Sequence, residues 1–140
     1  MSKIGKKIAL LFVLAGLMAS LTGCATAKLA DGFDAEQVES SGKEVIELLH
    51  NRDYQTIIDR SREDLRADVT VDSLKEQIDP KLDKLGNFVE YKKVVTGGSK
   101  DKTTDEDYGT AMITAKYEDG KATYTISFDK ENNLVGFYMK

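Results

Sequence analysis

The sequence predicts an α+β domain, with N-terminal helices packed on a curved, four-stranded antiparallel sheet. Three observations carry this expectation. Apolar residues recur at helical spacing from Val38 to Leu85, the period changes to strand-like alternation beyond Gly86, and short polar turns separate the alternating segments. Helices that precede strands in a run, instead of alternating with them, segregate to one face of an antiparallel sheet. A single domain over residues 33–140 is expected, with no internal repeat.

Ahead of that domain, residues 1–23 have the three parts of an export signal in order. Lys3, Lys6 and Lys7 come first, an apolar run follows from Ile8 to Met18, and Leu21-Thr22-Gly23 leads to Cys24. The apolar run is much shorter than the roughly 20 residues that a membrane-spanning helix needs. Leu21-Thr22-Gly23-Cys24 resembles the lipobox of bacterial lipoproteins, which implies that the Cys24 thiol carries a diacylglycerol and becomes the new N-terminus. It is the only cysteine in the chain, and a thioether-linked lipid removes the liability of a free thiol in an oxidising compartment. Residues 24–32 then read as the lipidated Cys24 and a short tether of small and polar residues, in which Leu29 is the one large apolar group.

Asp34 fits a helix N-cap, with Gln37 completing a capping box and Phe33 packing toward Val38. Val38, Gly42, Val45 and Leu49 make the buried stripe of this first helix, which runs to about His50. A glycine inside a helix costs about 1 kcal/mol against alanine, so Gly42 suggests an element packed closely against it. Asp53 caps a short second helix carrying Tyr54, Ile57 and Ile58, while the highly charged stretch from Arg62 to Asp68 has no clear period. Val69-Thr70-Val71 reads as a brief strand, and Ser73 with Glu76 as a capping box for a third helix. Leu74, Ile78, Leu82 and Leu85 continue one face through Pro80, which predicts a kink there and not a stop, and Gly86 closes the helix.

Four strands are expected at Phe88–Val95, Thr110–Tyr117, Ala122–Phe128 and Leu134–Met139. The turns at Glu118–Lys121 and Asp129–Asn133 pair the last three in sequence, whereas Thr96–Tyr108 reads as a long polar connection. Ala111, Ile113, Ala115 and Tyr117 share one face of strand two, and Tyr124, Ile126 and Phe128 share one face of strand three. That face needs the helices to cover it.

The chain has 20 Lys plus Arg against 24 Asp plus Glu. Removing Lys3, Lys6 and Lys7 with the leader leaves 17 against 24, a net charge of −7, which argues against nucleic acid as a partner. One His and one Cys exclude most multi-ligand metal sites and Cys–His nucleophile pairs. His50 is expected at a helix C-terminus, where a cation complements the dipole. Asp129-Lys130-Glu131-Asn132-Asn133 opens like a calcium loop, but the pattern fails at Leu134 and Lys140, so a hairpin turn is expected. Gly97-Gly98-Ser99-Lys100 lacks the spacing of a phosphate loop and reads as a flexible connection, and Asp101, Asp105, Glu106 and Asp107 read as its solvated surface. No catalytic residue, metal or cofactor is expected.

From Phe33 onward the chain resembles DUF3887, a family of small bacterial lipoproteins and hydrolase-attached modules. The resemblance rests on the helix followed by Asn51-Arg52-Asp53-Tyr54, on the Leu82-xx-Leu85-Gly86-xx-Val89 passage, and on Ser127-Phe128-Asp129 with Leu134-Val135-Gly136-Phe137. It implies an NTF2-like cone of helices and bent sheet around a cavity, and it implies no catalytic residues. In such a cone Tyr54, Tyr91, Tyr117, Tyr124, Phe128 and Phe137 are candidate pocket-lining residues, with core filling as the alternative role.

Together these readings lead to a non-enzymatic lipoprotein on the extracytoplasmic face of a bacterial cell membrane, held by lipid on Cys24. Its expected role is a binding or adaptor module for another envelope protein. The alternative is a small-ligand or lipid-binding protein that uses the aromatic cavity for an apolar ligand.

Overall fold

A computed structural model describes residues 28–140. The leader, Cys24 and the first part of the tether lie outside the described residues. Among the described residues four helices come first: α1 (Ala35–His50), α2 (Tyr54–Arg60), α3 (Glu63–Arg66) and α4 (Val71–Leu85). Four strands follow: β1 (Phe88–Lys100), β2 (Asp107–Tyr117), β3 (Gly120–Phe128) and β4 (Leu134–Met139). The strands form one antiparallel sheet in the order β1-β2-β3-β4, so the architecture is α+β as the hydrophobic periods require.

The helix starts follow from local chemistry. The Asp34 carboxylate accepts from the Glu36 amide, and Asp53 accepts from the amide and hydroxyl of Thr56. Val38, Val45, Ile46 and Leu49 of α1 are at most 2 % exposed. Gly42 lies directly over β2, since a Cβ there would stand 3.0 Å from the Ala111 methyl and 3.2 Å from Ile113 Cδ1. Close helix–sheet approach is therefore what the helix-interior glycine provides.

The segment before the third major helix corrects the sequence expectation. Val69-Thr70-Val71 is no strand: Thr70 is the N-cap of α4. The capping box joins Thr70 to Ser73, with Thr70 Oγ1 accepting from the Ser73 amide and Ser73 Oγ from the Thr70 amide. Helix α4 passes through Pro80 without ending and stops at Gly86, whose φ of +75° favours glycine. The charged stretch after α2 holds α3, a single turn.

The sheet corrects a second expectation. Gly97-Gly98-Ser99-Lys100 is not a loose connection; it continues β1 and pairs with Asp107 to Thr110 of β2. The loop is thereby cut to residues 101–106, where Asp101 accepts from the amides of Thr103 and Thr104. On the inner face Ala111, Ile113, Ala115, Tyr117, Tyr124, Ile126 and Phe128 are at most 2 % exposed beneath the helices. On the outer face a column of hydroxyls crosses three strands, Ser99 to Thr110 at 2.9 Å and Thr110 to Ser127 at 2.7 Å.

The sheet edges differ. The Leu134 carbonyl on β4 accepts from the Arg62 amide beside a parallel bridge to Ser61, and the Met139 carbonyl accepts from Lys81 Nζ. Strand β1 has no strand partner on its outer side among the described residues.

Candidate functional site

Helix α1 ends where β2 ends, and this coincidence brings together residues far apart in sequence. His50 Nε2 lies 2.7 Å from Tyr117 Oη, which lies 2.5 Å from Tyr124 Oη. The Phe88 ring, at the start of β1, closes the group at 4.9 Å from both the His50 and Tyr91 rings. An open cleft of about 180 Å³ exposes the outer end of this chain, lined by His50, Arg52, Leu82, Gly86, Asn87, Phe88 and Tyr117.

Burial sets the protonation of the group. It lowers the His50 pKa from its ordinary value, with the Glu47 carboxylate partly opposing the shift. Burial likewise raises Tyr117 and Tyr124, and it pushes Tyr91 up to about 12 with help from Glu47. The Tyr91 oxygen is itself buried without a hydrogen-bond partner. A neutral imidazole and neutral phenols therefore form a chain with one wet end, at the cleft, and one dry end, at the fully buried Tyr124. His50 stands in the last turn of α1, as expected from the sequence, where burial lowers its pKa.

The sign of the pH effect follows. Because His50 binds a proton less readily when folded, the unfolded chain takes up more protons as pH falls below 6.5. The stability this group contributes is full above 6.5 and declines as pH falls toward the folded value. Urea midpoints between pH 7.5 and 5 are expected to drop for the wild type and to drop less for His50→Gln. Equal slopes for the two proteins would refute the assignment.

The six candidate pocket aromatics separate. Tyr117 alone reaches the His50 cleft, and Phe137 lines a narrow gap of about 20 Å³ between α2, α4 and β4, room for roughly one water. Tyr54 is 3 % exposed and donates to Asp79, which Arg52 also holds at 2.7 Å, so it ties α2 to α4. Tyr124 and Phe128 are at most 1 % exposed and fill the core, while Tyr91 packs beside Phe88 under Lys43.

A second surface cleft, of about 370 Å³, is lined by Asp105, Glu106, Asp107, Asp129, Lys130 and Glu131. Four of its acids, Asp105, Glu106, Asp107 and Asp129, have partners within the domain. Asp129 accepts from the amides of Glu131 and Asn133, which makes the hairpin turn expected from the sequence, and Arg62 forks onto Glu106 at 2.9 and 3.0 Å. Among the described residues no group of three or more His, Cys, Asp or Glu is arranged to hold a metal ion.

The folded region is thus an α+β module whose polar groups are mostly satisfied from within. The chain belongs to the DUF3887 family, described as a protein of unknown function, whose profile matches residues 42–137. It is also similar to a protein from Ruminococcus gnavus ATCC 29149 known from an NMR structure, with 32 % identity over 80 % of this chain and 96 % of that one, at a TM-score of 0.70. No curated protein matches the chain.

Sequence reasoning missed the His50–Tyr117–Tyr124 chain. His50 and Tyr117 are 67 positions apart, and the contact depends on α1 and β2 ending level. The available signal was the pairing of a lone histidine at a helix end with a tyrosine at the end of an inward-facing strand stripe.

Proposed function

We propose that this chain is a lipid-anchored binding module on the extracytoplasmic face of a bacterial cell membrane, without catalytic function, that engages a protein partner of the envelope through its surface. The observation that carries this reading is the filled interior. Tyr117, Tyr124 and Phe128 occupy the space between helices and sheet at 2 % exposure or less, and the gap beside Phe137 is about 20 Å³. The fold is read here as an NTF2-like cone closed by its own side chains. Small-molecule sites generally occupy about 300–1,000 Å³, far more than the gap beside Phe137 holds.

Anchoring rests on the lipobox-like Leu21-Thr22-Gly23-Cys24 and the short apolar leader. No helix among the described residues is long and apolar enough to cross a membrane. A second reading, a small-ligand binder, is favoured by the His50 cleft, where a buried polar chain reaches solvent.

Native mass spectrometry of the full protein extracted from its host's membranes tests both. The expected result is a chain starting at Cys24 with covalent diacylglycerol and no further small molecule. Extra mass on the order of a few hundred daltons, lost on denaturation, would favour the cleft reading. An intact leader or an unmodified Cys24 would overturn the anchor.

A further inference from the structure

We infer that residues 28–33 are a docked strap, and that the protein therefore stands on the membrane by the end of the sheet that carries Gly98 and the 101–106 loop, with the His50 cleft at the far end. The second half of this statement rests on the proposed lipid at Cys24; the first does not.

The strap is seated in a slot without side chains. Gly98 of β1 and Gly109 of β2 face each other in register. A Cβ on Gly98 would fall far inside contact distance of the Lys28 carbonyl oxygen and 3.4 Å from Leu29 Cα. A Cβ on Gly109 would stand 2.8 Å from the Phe33 ring and 2.9 Å from Val38. Between these points Leu29 and Phe33 pack against the main hydrophobic core, and the Phe33 amide donates to the Ala30 carbonyl. Gly32, at φ +96°, turns the segment against the aliphatic part of Lys130. Two strand glycines, poor strand formers on propensity alone, thus have a shared use.

Docking shortens the leash. Only Ala25, Thr26 and Ala27 separate Cys24 from Lys28, and the four steps between Cys24 and Lys28 span at most about 14 Å of extended chain. Helix α1 starts beside the slot and carries His50 away over 16 residues, about 24 Å at helical rise. The anchored end and the cleft end of the domain are therefore separated by more than the leash can span. The anchored end also carries Asp101, Asp105, Glu106 and Asp107. Their repulsion from anionic lipid is screened over about 8 Å in physiological salt, so the covalent leash sets the pose.

The test uses the full lipidated chain in phosphatidylglycerol–phosphatidylethanolamine vesicles. A dye is placed by Thr103→Cys in the near loop or by Lys121→Cys beside the far hairpin, and energy transfer to a headgroup-labelled lipid is measured. Cys24 is consumed by its lipid, so each label is unique. Transfer is expected to be strong from position 103 and weak from 121, and Gly98→Val or Leu29→Ala should shrink the difference. Trypsin cleavage after Lys28 should also rise about tenfold in either variant, because a docked segment is cut through its open population. Leu29→Ala leaves the sheet backbone untouched and guards against a folding defect in Gly98→Val.

Equal transfer from both positions would overturn the pose. Unchanged trypsin rates in both variants would overturn the strap. Failure of the wild type to float with vesicles would overturn the membrane half by refuting the anchor, while the trypsin comparison would still decide the strap.

Discussion

Gly42→Leu is expected to destabilise the domain by about 3 kcal/mol, at the upper end of the usual cost of overpacking. The reason is geometric. A Cβ at this position already stands 3.0 Å from Ala111 and 3.2 Å from Ile113 Cδ1, and both are fully buried in the central strand. A leucine must push α1 off β2 or force these neighbours aside, and neither Ala111 nor the backbone beneath it can yield. Gly42→Ala is the instructive control. It gains about 1 kcal/mol of helix propensity and meets the same tight contacts with a single methyl, so its midpoint should stay within about 1 kcal/mol of wild type. Urea unfolding at unchanged m-value measures both. A wild-type midpoint for Gly42→Leu would mean that α1 does not lie on β2 at this point.

Phe128→Ala is expected to cost about 3–5 kcal/mol, the range for deleting a buried aromatic and leaving a cavity. Phe128 is 1 % exposed at the end of β3, and Arg60 of α2 stands 5.9 Å from its ring centroid. Small domains have only about 5–15 kcal/mol of stability in total, so a fifth or more is at stake. Thermal unfolding should show Tm falling by about 12–20 °C, whereas Phe128→Leu should cost less than about 1.5 kcal/mol. If Phe128→Ala were as mild as Phe128→Leu, the ring would be lining open space instead of filling core.

Much of the architecture was legible because it is local. Asp34 and Asp53 mark helix starts with their own side chains, Gly86 marks a stop, and the change of period at Gly86 divides the chain into its two structural halves. Other features answered to partners distant in sequence. Val69-Thr70-Val71 has strand-like composition, yet the hydroxyls of Thr70 and Ser73 satisfy the first amides of α4, and that local gain decides the matter. Gly98 looks like part of a loop because its value lies in the Lys28–Leu29 backbone that crosses it. The polar chain at the cleft was least legible, since His50, Tyr117 and Tyr124 sit on three elements and each alone has an ordinary core explanation.

The unequal edges of the sheet limit how copies of this protein can join. The β4 edge is occupied at Leu134 by Arg62 and at Met139 by Lys81, so among the described residues β1 is the side open to another strand. A sheet with one open side extends once. Two copies meeting through β1 would use the same strand on each, form a two-fold symmetric pair and bury both growing ends. Fibrous assembly by strand addition needs two open sides per copy, so pairing through β1 closes on two copies and does not propagate.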